Sequence, residues 1–460
     1  MPSVRKACFS FRRLIIICLI ALAASSTAFA REEQPFNKSE FAARRAKLFE
    51  KIADGVGIIF AAKGQIYPVK FRQSPDFYYL TGIEEEDAVL VLVGAKRQTF
   101  LFAHKRPEGR VNIEGPGIWQ VENAKELYGL TGLLPLENFF GVLTYLVKDA
   151  RKLYVPITSQ DNLENARGEM QEYELRYMHH PVYRAIPETK QAVSLIQQWV
   201  PNLALADVNP LLDDMRWVKS PYEAERMRES GRIGAEAIKA AIRGTHPGMY
   251  EYEVEAAARF VNTKLGARGD AFTPIVASGP NTVTWHYTAN RRQMQSGDVV
   301  LMDYGADYDY YVSDITRTWP VSGRFTPEQE KMYRCILEAR DAVISAMKPG
   351  LTVNKLKEIA EEVYKKHGFH KEFLALGRYI GHHVGISVHD VNASDPARTF
   401  EPGVIFNVEP LLEMRDQKIH MRLEDTVLIT PTGAVNLTAG VPAEIEEVYA
   451  LIKQKGIGTN

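Results

Sequence analysis

An α/β chain, closer to α+β in its second half, is the fold class the sequence predicts, and three observations predict it. The 460 residues exceed what one ordinary core fills, which implies two domains. Up to about residue 200, short β-like runs alternate with helical stretches. Beyond that point, long helices separate strand-rich segments. Hydrophobic residues at 45% and charged residues at 25% make an ordinary globular mix.

Residues 1–30 stand apart. Arg5, Lys6, Arg12 and Arg13 precede an apolar stretch from Leu14 to Ala23, and Ala28-Phe29-Ala30 is a small-residue cleavage pattern. Together they read as a secretory signal peptide, which predicts an exported protein, periplasmic or secreted. The stretch is short for a membrane anchor, and no comparable apolar span follows, so no membrane-crossing helix is expected after cleavage. Removing four positive charges takes the formal charge from −1 to −5, and no concentrated basic face points to nucleic acid. Cys8 and Cys18 leave with the signal; Cys335 remains and cannot form an internal disulfide.

The first domain, 31–212, opens with an amphipathic helix over 41–53 that places Phe49, Ile52 and Ala53 on one side. Strands are predicted at Val56–Phe60, Val89–Val93 and Thr99–Phe102, and a helix after Pro187-Glu188 carries Ile196 and Val200. The stretch from Pro210 to Pro221 is the junction. The second domain, 213–460, begins at a helix start, Ser220-Pro221-Tyr222-Glu223, with a Ser cap and an acid in the first turn. Helices follow over 222–243, from near Tyr250, and over 326–346 and 353–367; strands fall within 298–321 and 402–430.

Within those strand segments the acids stand out by placement. Val299 to Met302 is a buried-strand run ending in Asp303, and Tyr311-Val312-Ser313 leads to Asp314. A hairpin centred between Tyr308 and Asp309 would put Asp303 directly opposite Asp314. Two facing buried carboxylates repel, and a bound cation is the simplest way to keep both ionised. Val404 to Val408 is a second buried run, ending in Glu409, and His420, Arg422 and Glu424 alternate with Met421 and Leu423 on one strand face. One such acid alone would read as a solvated strand end; four on apolar strands do not. His382 and His389 flank Val384–Val388, and His286 sits between Trp285 and Tyr287; each taken alone reads as a hydrogen-bonded core histidine. Four carboxylates and one imidazole form a hard, oxygen-rich set that suits Mn²⁺, with Zn²⁺ or Co²⁺ as alternatives.

Five strings carry a family resemblance: Leu301 to Gly305, Ser313 to Thr318, Gly381-His382 through Asp390, Asn407 to Pro410, and Arg422 to Asp425. In order and spacing they resemble the aminopeptidase P and prolidase group, metallopeptidase family M24B. Phe71–Gly82 and Ala88–Leu92 resemble the aminopeptidase P N-terminal domain. The resemblance implies a creatinase/aminopeptidase P-like α/β domain followed by a pita-bread catalytic domain. It implies two divalent metal ions: Asp303 chelating one, His382 with Glu409 holding the other, Asp314 and Glu424 bridging. His286 and His389 match substrate-contacting histidines, Arg422 matches a family position, and Trp119 is similar to a tryptophan that a neighbouring subunit contributes in some members, leaving room for a homo-oligomer. Leu411 where the family has glycine after Glu-Pro, a short loop between Glu409 and Glu424, and Arg378 in place of a histidine are departures.

The implied substrates are peptides with proline at the second position. A metal pair generates hydroxide from a shared water near neutral pH. Glu409 would take the water's proton and deliver it to the leaving proline nitrogen. His286 and His389 would hydrogen-bond the tetrahedral intermediate. An Xaa-Pro dipeptidase (prolidase) is the alternative enzyme, with Arg398 or Arg422 as partner for a dipeptide's free carboxylate. A pita-bread binding module without catalysis is the non-enzyme alternative, disfavoured because all five ligand positions are retained. Export and the N-terminal resemblance favour the aminopeptidase.

Overall fold

The computed structural model describes residues 36–64, 70–391 and 397–457. Residues 1–30, read from the sequence as a signal peptide, lie outside the described residues. Lys38–Asn460 form one compact unit.

The helix predicted over 41–53 spans Lys38–Lys51 and buries Phe41, Leu48 and Phe49. Ile52 is buried but Ala53 is exposed, because the chain turns there, with the Gly55 amide donating to the Ile52 carbonyl at 2.9 Å. Six strands form one sheet: β1 (Gly55–Phe60), β2 (Val89–Val93), β3 (Gln98–Ala103), β4 (Gly132–Pro135), β5 (Lys152–Val155) and β6 (Ala204–Asp207), in the order β4-β3-β2-β1-β5-β6. β1, β2 and β3 pair antiparallel; the outer strands join parallel. Residues alternate between faces. Val56, Ile58 and Val91 pack with Phe139, Leu143, Val193 and Ile196 of helices Phe139–Leu146 and Glu188–Trp199. Ile59, Leu90 and Leu92 pack with Leu48, Phe77 and Leu80 on the other face.

In the second half, the helix Pro221–Ile242 opens on a reciprocal cap: Ser220 Oγ accepts from the Glu223 amide at 3.2 Å, and Glu223 Oε2 accepts from the Ser220 amide at 2.9 Å. It packs with helix Glu251–Lys264 against β8 (Ile275–Ser278), β9 (Val299–Tyr304) and β12 (Ile315–Pro320). Helices Pro327–Ala346 and Val353–His367 pack against β13 (Ile405–Val408), β14 (Leu411–Met414), β15 (Ile419–Arg422) and β16 (Asp425–Ile429). Short strands β7 (Gly269–Asp270), β10 (Ala306–Tyr308), β11 (Tyr311–Val312) and β17 (Ala434–Asn436) complete the small sheets. No helix among the described residues is long and apolar enough to cross a membrane.

The hairpin differs from expectation by one step of turn. Tyr308 pairs with Tyr311, so the turn is Asp309-Tyr310, both with positive φ (50° and 72°), as a two-residue hairpin turn requires. Asp303 therefore opposes Thr316, not Asp314. Asp314 stays on the same face, diagonal to Asp303, because a shift of two residues preserves the side. Gly305 permits the close approach there: a Cβ would stand 1.8 Å from the Ser313 carbonyl oxygen.

Charged side chains join the two halves. Arg216 reaches Asp76 at 2.9 Å and Asp161 at 2.6 Å and also pairs with Asp390, which Lys219 meets at 2.9 Å. Arg167 pairs with Asp76 at 2.9 Å and with half-buried Asp213 at 2.7 Å.

Candidate metal centre

Five separate pieces of backbone deliver the predicted ligands. Asp303 lies in β9, Asp314 in the break before β12, Glu409 just past β13, Glu424 between β15 and β16, and His382 in the loop after residue 375. That loop is laid beside β13 by backbone bonds of 2.7 Å from the Asn407 amide to the His382 carbonyl and from the Glu409 amide to the Ile380 carbonyl. Gly381 sits at φ +135°, where a Cβ would stand 1.9 Å from the Asn407 carbonyl oxygen, so only glycine lets the two chains approach.

His382 Nε2 lies 3.4 Å from Asp314 Oδ2, 3.6 Å from Glu424 Oε1 and 3.9 Å from Glu409 Oε2. Arg422 ties in the fifth residue, donating to Asp303 Oδ2 at 2.5 Å and to Glu409 Oε1 at 3.0 Å. All four carboxylates are buried, at 1–7% exposure. Thr316 Oγ1 at 2.6 Å and Asn407 Nδ2 at 2.8 Å donate to Glu424, and Tyr379 Oη donates to Glu409 Oε2 at 2.7 Å. Thr316 and Asn407 fall within the strings that carry the resemblance, without an assigned role, and Tyr379 falls outside them. Thr316 and Asn407 stand two positions from Asp314 and Glu409, and that period of two was the available signal. Tyr379 carries none.

Burial raises Asp314 well above the usual carboxylate range, and Glu424 and Asp303 add to it. Asp303 is raised by burial against the pull of Arg422. Burial, then Glu424, lifts Glu409 to about 7. Glu424 goes the other way, to about 2, because His382 and Arg422 outweigh its burial. The cluster is thus short of positive charge. Two buried oxygens, Asp303 Oδ1 and Asp314 Oδ1, accept no hydrogen bond from the described residues. Buried acceptors left without donors are costly, and a hard cation satisfies both the charge and the lone pairs. The residues fit divalent metal ions on that ground.

The remaining candidates are more widely placed. The His389 ring lies 4.4 Å from that of His382, nearly perpendicular. His286 is exposed in the turn after β8. His383 turns away: it bonds the Ile405 carbonyl at 3.3 Å, packs on Trp217, and is pushed by burial to about 3. The strand face expected to carry His420, Arg422 and Glu424 together is interrupted after Arg422, and His420 instead meets Glu413 at 3.3 Å, outside the cluster. Arg378 pairs with Glu361 at 2.7 Å. Trp119 donates to the Ala103 carbonyl at 3.2 Å. Arg398 lies over the Trp217 ring and pairs with Asp214 and Glu401 at 3.2 and 3.3 Å.

A cleft of about 590 Å³ is lined by Tyr379, His382 and His389 together with Gly168, Glu169 and Glu172. A larger groove of about 850 Å³ beside helix Lys38–Lys51 touches none of the five cluster residues, and the smaller cleft is the one that meets the chemistry.

Four buried carboxylates, one imidazole and an adjoining cleft define the class: a metal-dependent hydrolase. Comparison with known proteins agrees. The family described as Metallopeptidase family M24 matches residues 225–431, and Aminopeptidase P, N-terminal domain matches residues 41–154. The Xaa-Pro aminopeptidase of Escherichia coli K12 is 31% identical over 454 residues, covering 90% of this chain and 98% of the relative. The solved aminopeptidase P from E. coli with the inhibitor Pro-Leu superposes with a TM-score of 0.76 at 29% identity, covering 91% of this chain and 99% of the other. The Pseudomonas aeruginosa aminopeptidase PepP gives 0.77 at 29% identity, over 91% and 98%. The chain belongs to metallopeptidase family M24, in its Xaa-Pro aminopeptidase branch.

Proposed function

We propose that this metallopeptidase removes the first residue of peptides whose second residue is proline, and that it acts outside the cytoplasm. The observation that carries the reaction is the buried group Asp314, His382 and Glu424, to which Arg422 ties Asp303 and Glu409, with two acid oxygens that no donor among the described residues satisfies. Asp303, Asp314, His382, Glu409 and Glu424 would hold two divalent ions, Mn²⁺ by the hardness of the set, with Zn²⁺ or Co²⁺ as alternatives. When bound, such a pair supplies Lewis-acid activation of water and of the scissile carbonyl.

The chain's own groups do the rest. Glu409 would accept the attacking water's proton and return it to the prolyl nitrogen. That nitrogen carries no proton of its own in the peptide, so its departure needs one delivered. Arg422 and Tyr379 hold the two oxygens of Glu409, at 3.0 and 2.7 Å, and so aim its carboxyl. His286 would donate a hydrogen bond to the oxygen on which charge develops, and His389 would contact the substrate beside it.

The dipeptidase reading is weaker. The Xaa-Pro dipeptidase of Pyrococcus furiosus, 34% identical, matches over 50% of this chain, whereas the Escherichia coli aminopeptidase matches along 90%. Arg398, one candidate for a dipeptide's carboxylate, is already paired with two acids. Export rests on the positive, apolar and Ala-x-Ala segments of residues 1–30.

The test is a peptide panel. Xaa-Pro-Yaa and longer peptides should be cleaved with higher kcat/KM than Xaa-Pro, and Xaa-Ala-Yaa should resist. Exclusive cleavage of dipeptides would move the reaction to the dipeptidase. Mature protein beginning at Met1 in the cytoplasm would refute export.

A further inference from the structure

The loop that carries His389 is held from the other half of the chain. The Val388 amide donates to the Leu163 carbonyl at 2.8 Å and the His389 amide to the Glu164 carbonyl at 3.4 Å. Ser387 Oγ donates to Asp161 Oδ2 at 2.9 Å, and Arg216 joins Asp161 to Asp390. Residues 161–164 thus fix the backbone on both sides of His389.

The ring has its own partner. Glu169, at the start of helix Arg167–Met178, places Oε1 at 2.8 Å and Oε2 at 2.9 Å from His389 Nδ1. An ionised carboxylate only accepts hydrogen bonds, so Nδ1 carries the proton and Nε2 is the nitrogen left to face elsewhere. The ring also abuts His382, at 4.4 Å between centroids. An imidazole held between a carboxylate and a neighbouring ring loses its freedom to rotate, and fixed geometry is what a transition-state contact requires.

We infer that Glu169 is the positioning residue for His389: a side chain from the N-terminal half that sets the ring orientation and tautomer of a histidine in the catalytic half. The inference rests on the reading of His389 as a substrate-facing group. Glu169 also caps its own helix, accepting from the Ala166 amide at 2.8 Å, so the test must separate positioning from capping.

A double-mutant cycle does so. Glu169→Ala should lower kcat about 10–100-fold, as loss of an orienting partner does, with KM and metal content little changed. Glu169→Gln, which keeps an acceptor oxygen, should recover part of the loss. In the His389→Ala background, Glu169→Ala should cost nothing further. Equal losses in both backgrounds would make Glu169 a helix cap and overturn the inference, as would full activity of Glu169→Ala. A silent His389→Ala in active enzyme would overturn it through its premise. A second readout needs no turnover. In the Zn²⁺-loaded protein, ¹⁵N spectra of the imidazoles, assigned by the signals lost in His389→Ala, should show a proton on Nδ1 that Glu169→Ala no longer fixes. A wild-type His389 protonated on Nε2 alone would contradict it, whether or not the protein cleaves Xaa-Pro bonds.

Discussion

The junction between the halves buries Asp76, Asp161 and Asp390 among Arg167, Arg216 and Lys219; the strand ends bury Asp303, Asp314, Glu409 and Glu424 beside Arg422 and His382. In the first cluster each carboxylate finds a fixed cation, and Asp390 is pulled down to about 2 by Arg216 and Lys219 despite its burial. In the second, acids outnumber permanent cations, and Asp303, Asp314 and Glu409 all shift upward with burial as the leading cause. Burial is common to both, so burial alone does not mark a functional site. Uncompensated charge does.

The comparison can be broken by substitution. The largest effect is expected at Asp314. Asp314→Ala should cut turnover by at least about 10³-fold, beyond the loss of a single transition-state donor, while the thermal stability of the metal-free protein holds or rises. Circular dichroism and metal analysis on the same sample would check both halves of that statement. At the junction the order inverts. Arg216→Met takes one of two cationic partners from each of three buried carboxylates and should cost about 3–5 kcal/mol of stability, read by denaturant titration. A junction variant as stable as wild type would mean that the network is not what joins the halves.

Next come the histidines. His286→Ala and His389→Ala should each lower kcat by about 10²–10³-fold with metal content retained. Loss of metal instead would make them ligands.

The smallest effect concerns pH. Asp303, Asp314 and Glu409 have native values above the ordinary 3.8 and 4.5, so the metal-stripped native state binds more protons than the unfolded chain. Stability from these groups therefore falls as pH rises, from the ordinary carboxylate values to about 7. Cation binding grows over the same window, because ligands must lose their protons. The Tm difference between loaded and stripped protein should widen from pH 5 to pH 8. A constant difference would mean that metal does not sit on these acids.

How much of this was legible in the sequence follows from range of contact. Val299 to Asp303 and Val404 to Glu409 announce themselves because an apolar run ending in an acid is a local pattern. β4, β5 and β6 went unseen since four residues each leave too little periodicity to read. The hairpin slipped by one turn position because Tyr310 adopts φ 72°, a conformation unusual for a large residue. Glu169 lies 220 positions from His389, and no local signal links them. Arg216, at the end of a short helix, likewise gave no hint that it would bury three acids.

The central claim is that Asp303, Asp314, His382, Glu409 and Glu424 form a metal centre that drives Xaa-Pro cleavage. Its most direct test is a titration of metal-stripped, signal-less protein with Mn²⁺, following bound metal and hydrolysis of an Xaa-Pro-Yaa tripeptide in the same samples. The account predicts no turnover without metal, restoration as ions bind, saturation at two per chain, and no restoration in Asp314→Ala. Full turnover in demonstrably metal-free protein would contradict it.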